Sequence, residues 1–309
     1  MGKSYFKKLK IWITELRAPF FSCTLVPVFL GAAVAWSQYE LFDPVLFALT
    51  LVATLLVHAG ANMVDDYFDY KIGSDRHQIY KSLQSPFFGG SRVLNRGLLQ
   101  PWSVFIASII AFSTGGLLGL YLAIRSSLLV LLLGFVGLIF GYYHVTVFSR
   151  LGMGEFSLFL NFGPLIAAGS YLVQTGVVEI APFIASVPVG ILMAALLLVN
   201  GIPDREADME AGKFTLPVRL GPKKSVLLYV TLLSGTYLYV GLAVLFRVMP
   251  LPSLLGMTTI PLAIQSTKIA FRRFNNPHEF TPVNRLTYLI HFSTGSLLIV
   301  GYLLPELIG

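Results

Sequence analysis

Asn200, Asp204 and Asp208 recur at four-residue intervals in LVNGIPDREADMEAGKFTLPVRLG, directly after a long apolar run, and Asn62, Asp65, Asp66 and Asp69 follow another such run in NMVDDYFD. If each segment is helical, the spacings i, i+4, i+8 and i, i+3, i+4, i+7 place each set on one face. Six of the seven aspartates lie within residues 65–75 and 204–208, so negative charge is concentrated. Like charges at such spacing repel by a few tenths of a kcal/mol even in water, a penalty that a divalent cation removes. Hard oxygen ligands select Mg²⁺ or Ca²⁺ over zinc, and His58, His77, His144, His278, His291 and Cys23 form no set with zinc spacing. Mg²⁺ binds through one or two carboxylates plus phosphate oxygens, so two facing acidic sets suit a Mg²⁺-diphosphate. The candidate metal ligands are therefore Asp65, Asp66, Asp69, Asp204 and Asp208, with Asp66, Asp69, Asp204 and Asp208 also the candidate catalytic residues.

Phosphate needs cations, and the same regions supply them. Arg92 and Arg96 in GGSRVLNRGLLQP, Lys213 in GKFTL and Arg76 are candidates, arginine for bidentate contact and lysine as a point charge. Tyr67 and Tyr142 are the aromatic residues placed to face a carbocation, although tyrosine is also enriched at every membrane interface. A lone carboxylate after a span is ordinarily a solvated helix end. Two Asn/Asp-patterned faces at equivalent places outweigh that reading.

The elements that must position these residues are membrane helices. The chain is 55% hydrophobic and 12% charged, far from a soluble domain. About nine stretches approach the roughly 20 apolar residues a spanning helix needs: near 18–37, 44–65, 101–124, 127–145, 154–174, 180–202, 224–246, 249–271 and 284–304. The fold class expected is thus an all-α polytopic membrane protein, a single domain of two four-helix pseudo-repeats plus a ninth helix. With nine spans, 20 of the 22 lysines and arginines fall on the N-terminal side and only Arg125 and Arg247 opposite, which places the N-terminus and both acidic sets in the cytoplasm. That bias and the attraction of anionic lipid explain the net charge of +7 without nucleic acid as a partner. The basic start MGKSYFKKLKIWITELR leads into further spans and reads as an uncleaved anchor. Segments 66–100 and 203–223 read as ordered loops or short capping helices over a cavity mouth, and Pro203 is expected to bend the helix there.

These motifs together resemble the UbiA superfamily of intramembrane prenyltransferases, most of all its 1,4-dihydroxy-2-naphthoate branch in menaquinone biosynthesis. NGIPDREADMEAGKFTLPVRLG at 200–221 is similar to that branch's Asn-x-x-x-Asp-x-x-x-Asp-x-x-x-Gly-Lys-x-Thr-Leu pattern, and 62–75, 89–101 and 140–169 add further likeness. Position 65 departs from the pattern, carrying Asp where the family usually has Asn. The resemblance implies nine helices around a central cavity open to the lipid bilayer, with Mg²⁺ bridging the aspartates and a polyprenyl diphosphate. It assigns substrate binding to Asn62, Arg92, Asn200 and Lys213, beside Tyr142. The reaction implied is transfer of the polyprenyl group to an aromatic acceptor, with loss of the ring carboxylate in the naphthoate branch. Glu155 is a candidate to face the acceptor. The rival acceptors are 4-hydroxybenzoate, homogentisate, a haem or chlorophyll precursor and a glycerol-phosphate lipid. A divalent-cation transporter is the rival from another class, since intramembrane carboxylates also mark ion pathways.

Overall fold

A computed structural model describes residues 2–74, 85, 87 and 89–308, and every regular element among them is helical. An amphipathic helix α1 (Gly2–Glu15) runs into a 3₁₀ turn (Ala18–Phe21) and helix α2 (Ser22–Tyr39). There follow α3 (Pro44–Ile72), α4 (Pro101–Arg125), α5 (Leu129–Tyr142), α6 (Gly154–Thr175) and α7 (Ala181–Glu210). The short α8 (Leu216–Leu220) leads to α9 (Pro222–Leu245), α10 (Ile260–Arg273, entered through the 3₁₀ segment Leu251–Thr259) and α11 (Thr281–Ile308).

All nine expected stretches are helical. Seven of the described helical segments are long and apolar enough to cross a membrane. The expected span 127–145 is a 14-residue apolar helix followed by a π-helical turn (His144–Ser149), and 249–271 is divided between 3₁₀ and α geometry. The helices carrying the acidic sets run past the expected span ends, to Ile72 and Glu210, so the first parts of segments 66–100 and 203–223 are helical continuations of the spans. Helix α7 continues through Pro203 without a break.

Burial sorts the helices by role. The most apolar window of α7 is 72% buried and that of α4 only 22%, which makes α7 the central post and α4 a lipid-facing wall. Close packing of the post depends on glycine. A Cβ on Gly163 of α6 would lie 2.8 Å from the Gly190 Cα of α7, a backbone approach that only small residues permit. Pro164 sits in a π-helical turn (Asn161–Leu165), whose wider pitch accommodates a residue without an N–H. Buried hydroxyls tie the last helices together: Tyr229 Oη lies 2.6 Å from Ser266 Oγ and 2.7 Å from Thr287 Oγ1.

Candidate active site

Helix α3 begins at Asp43, whose Oδ1 accepts from the N–H groups of Val45 and Leu46 before Pro44 starts the first turn. It ends at Gly73, left-handed at φ 93°, whose N–H returns to the Asp69 carbonyl. Helix α7 ends in a Schellman turn: Gly212 has φ 70°, its N–H bonds to Met209 O, and Lys213 N–H bonds to Asp208 O at 2.8 Å. This turn is the physical content of the Gly-Lys pair. It folds Lys213 back over the acidic face of its own helix.

The two faces meet in a cleft of about 120 Å³. From α3 it is lined by Asp65, Asp66 and Asp69, and from α7 by Asn200, Asp204 and Asp208. Lys213 joins the halves: its Nζ lies 3.0 and 3.1 Å from the two oxygens of Asp69 and 3.8 Å from Asp208 Oδ1. Thr215 Oγ1 donates to Asp208 Oδ2 at 3.2 Å. A loop with left-handed Gly89, Gly90 and Arg92 crosses the cleft, donating Gly89 N–H to Asp204 Oδ2 at 3.3 Å and Ser91 N–H to Asp66 Oδ2 at 2.9 Å. Asp65 Oδ1 is buried without a hydrogen-bond partner among the described residues.

Among the described residues no three His, Cys, Asp or Glu side chains converge into a closed metal cage. The donor set fits Mg²⁺ used in its usual manner, one or two carboxylates per ion with substrate oxygens completing the octahedron. Asp65, Asp66, Asp69, Asp204 and Asp208 supply only hard oxygens, and Asp65 has one to spare.

Three residues in or beside the cleft escaped sequence reading. Arg17, left-handed at φ 51° where α1 turns into α2, lines it and is a further cation for an anionic ligand. Glu15 is fully buried and accepts from Ser91 Oγ at 2.6 Å. Burial, then the nearby Asp66 charge, push its carboxyl up to about 8 from an ordinary 4.5. Asn284 of α11 bonds to Asn200. Glu155 does line the cleft, with His144 and Ser149 close by.

Other expectations fail on side-chain direction. Tyr67 lies one residue past Asp66, about 100° around the helix, and packs on Phe105 and Phe68 under the Lys71 ammonium. Tyr142 packs against Phe68, Phe112 and Tyr143. Neither ring lines the cleft; Phe87 does. Arg96 is exposed, and Arg92, half-buried within the loop, is not on the cleft wall. Asn62 turns its Nδ2 to Leu16 O at 3.0 Å. Asp75 and Arg76 lie outside the described residues.

One turn deeper along α3 an apolar cavity of about 400 Å³ opens, bounded by α3, α4, α5 and α6. Ala61 and His58 lie at the end nearest the acidic cleft, and Leu122 and Val130 line it farther along. Gly116, Gly119 and Gly134 face open space, since a Cβ on any of them would meet nothing within 4 Å.

An acidic cleft at helix ends, continued by an apolar cavity within a bundle of membrane helices, defines an integral-membrane protein with a charged site at the mouth of an apolar chamber. The profile of the UbiA prenyltransferase family matches residues 24–287, and the chain belongs to that family. It is a membrane-embedded prenyltransferase. It is 30% identical to UbiA prenyltransferase domain-containing protein 1 of Mus musculus over 312 residues, covering 99% of this chain and 89% of that one. The 2-carboxy-1,4-naphthoquinone phytyltransferase of Synechocystis is 26% identical over 298 residues, with 95% and 93% covered. Among solved structures, a UbiA homolog from Archaeoglobus fulgidus bound to GPP and Mg²⁺ shares the fold at TM-score 0.60 and 17% identity, covering 94% of this chain and 99% of that one.

Proposed function

We propose that the protein transfers a polyprenyl group from an allylic polyprenyl diphosphate to 1,4-dihydroxy-2-naphthoate, a step of menaquinone biosynthesis. The observation that carries this reading is the convergence of two aspartate faces on Lys213, directly above an apolar cavity. The diphosphate would sit in the cleft and the polyprenyl tail in the cavity. Likeness to a naphthoquinone phytyltransferase and the Gly-Lys-Phe-Thr-Leu segment favour the naphthoate acceptor. The charge bias of the loops favours the cytoplasmic (inner) membrane with the cleft on the cytoplasmic side.

Asp66, Asp69, Asp204 and Asp208, with Asp65, would hold Mg²⁺, which when bound neutralises charge on the diphosphate oxygens. Lys213 and Arg17 bind the same group, and Lys213 exchanges Asp69 for a phosphate oxygen as the donor enters. The allylic C–O bond breaks and the diphosphate leaves with the electron pair. Its charge grows only as the bond breaks, so Lys213 and Arg17 act on the transition state. The apolar cavity keeps water from the allylic cation. The ring carbon bearing the carboxylate forms the new C–C bond, and CO₂ departs, returning its electron pair to the ring. The test incubates the purified protein with Mg²⁺, labelled prenyl diphosphates and a panel of aromatic acceptors, identifying products by mass. A decarboxylated 2-prenyl-1,4-naphthalenediol, or the quinone it forms in air, is expected. Product from another acceptor alone overturns the naphthoate assignment, and no product from any donor overturns the chemistry.

A further inference from the structure

Pro203 has no N–H, so the carbonyl four residues earlier, Val199 O, lacks its regular α-helical donor. Asn284 of α11 takes that carbonyl with its Nδ2 at 3.0 Å, and the same nitrogen donates to Asn200 Oδ1 at 2.8 Å. The logic of donors fixes both amides. A main-chain carbonyl only accepts, so the atom of Asn284 facing Val199 O is nitrogen, and a flipped amide would set two acceptors against each other. That nitrogen's second hydrogen goes to Asn200, whose facing atom is therefore oxygen. Asn284 is fully buried, and its own Oδ1 is left without a partner among the described residues, a cost incurred to hold this arrangement. Asn200 thus commits its oxygen to α11 and keeps its NH₂ for the acidic cleft it lines.

The counterpart on α3 has the opposite polarity. Leu16, just past the end of α1, has a carbonyl without a helical partner, and Asn62 Nδ2 donates to it at 3.0 Å. Asn62 commits its nitrogen to the end of α1 and, unlike Asn200, does not line the cleft.

We propose that Asn200 donates an N–H to a phosphate oxygen of the donor and that Asn284, set by Pro203, is the positioning residue that fixes this polarity. The inference rests on the prenyl-diphosphate reading above.

The experiment measures calorimetric binding of a prenyl thiolodiphosphate, which resists ionisation, to the full chain in detergent across a Mg²⁺ series, with steady-state kinetics alongside. Asn200→Asp sets an acceptor against phosphate and is expected to weaken thiolodiphosphate binding by about tenfold or more. Asn284→Leu releases the Asn200 amide and raises donor KM by about three- to tenfold, with a smaller effect on kcat. Pro203→Ala returns a helical donor to Val199 O, competes with Asn284 and shifts KM in the same direction. Asn200→Asp binding the donor within about threefold of wild type, or Asn284→Leu leaving donor KM unchanged, overturns the inference. Wild-type protein that fails to bind the thiolodiphosphate with Mg²⁺ overturns the underlying reading instead.

Discussion

Lys213 bridges the acidic faces, reaching Asp69 of α3 and Asp208 of α7, which makes Lys213→Met an informative perturbation. At 3.0 Å and an effective dielectric near 20, the Lys213–Asp69 pair attracts by about 5 kcal/mol. Methionine also spares the desolvation of the ammonium, which lowers the net loss to about 3 kcal/mol, within the range for breaking a buried pair from one side. At roughly 2–4 °C per kcal/mol for a chain of this size, the melting temperature without divalent cation should fall by about 6–12 °C. Mg²⁺ binds the carboxylates that the lysine leaves behind, so adding it should recover at least about half of that loss. The assay is thermal unfolding of wild type and variant in detergent, in EDTA and in Mg²⁺. A variant melting within about 2 °C of wild type in EDTA would falsify the claim that Lys213 clamps α3 to α7. An equal deficit in both buffers would refute the idea that lysine and metal share carboxylates.

Asp69→Ala and Asp204→Ala should each lower prenyl transfer at least about 100-fold with the protein still folded, judged by product mass and circular dichroism; full activity in both would remove the cleft from the chemistry. Gly119→Leu projects into open space and should preserve the melting temperature while shifting donor preference toward shorter prenyl chains, read by competition between labelled donors. Gly163→Ala should instead destabilise by about 1–3 kcal/mol, because its Cβ meets the Gly190 backbone. The Glu15 carboxyl is raised to about 8 in the fold against an ordinary 4.5, so its contribution to stability is complete below pH 4.5 and lost as pH rises through 8. Glu15→Gln should flatten the metal-free stability profile between pH 5 and 8, and an unchanged slope would show that Glu15 does not titrate there.

The one-face spacing of Asn62, Asp65, Asp66 and Asp69, and of Asn200, Asp204 and Asp208, was legible because helical periodicity is local. The role of Gly212 went unread although its signal is local, since a Schellman turn needs only a left-handed residue after the helix and sets Lys213 at a fixed place beyond it. Membrane class followed from apolar length. Tyr67 and Tyr142 were misread because proximity in sequence to a carboxylate says nothing about direction, and one residue turns a helical side chain by about 100°. Arg17 and Glu15 gave no signal in isolation; only the packing of α1 and the 89–92 loop against α3 brings them to the cleft.

The chain by itself determined which residues carry charge, which helices carry them and which end of each helix they occupy, because propensity, capping and apolar length act over a few turns. Tertiary structure decided which charges meet and which way each amide points. Those depend on partners such as Asn284 for Asn200 and Leu16 for Asn62, brought to hydrogen-bonding distance across 84 and 46 residues of chain. Hydrogen-bond polarity is a property of the pair, and no single segment contains the pair.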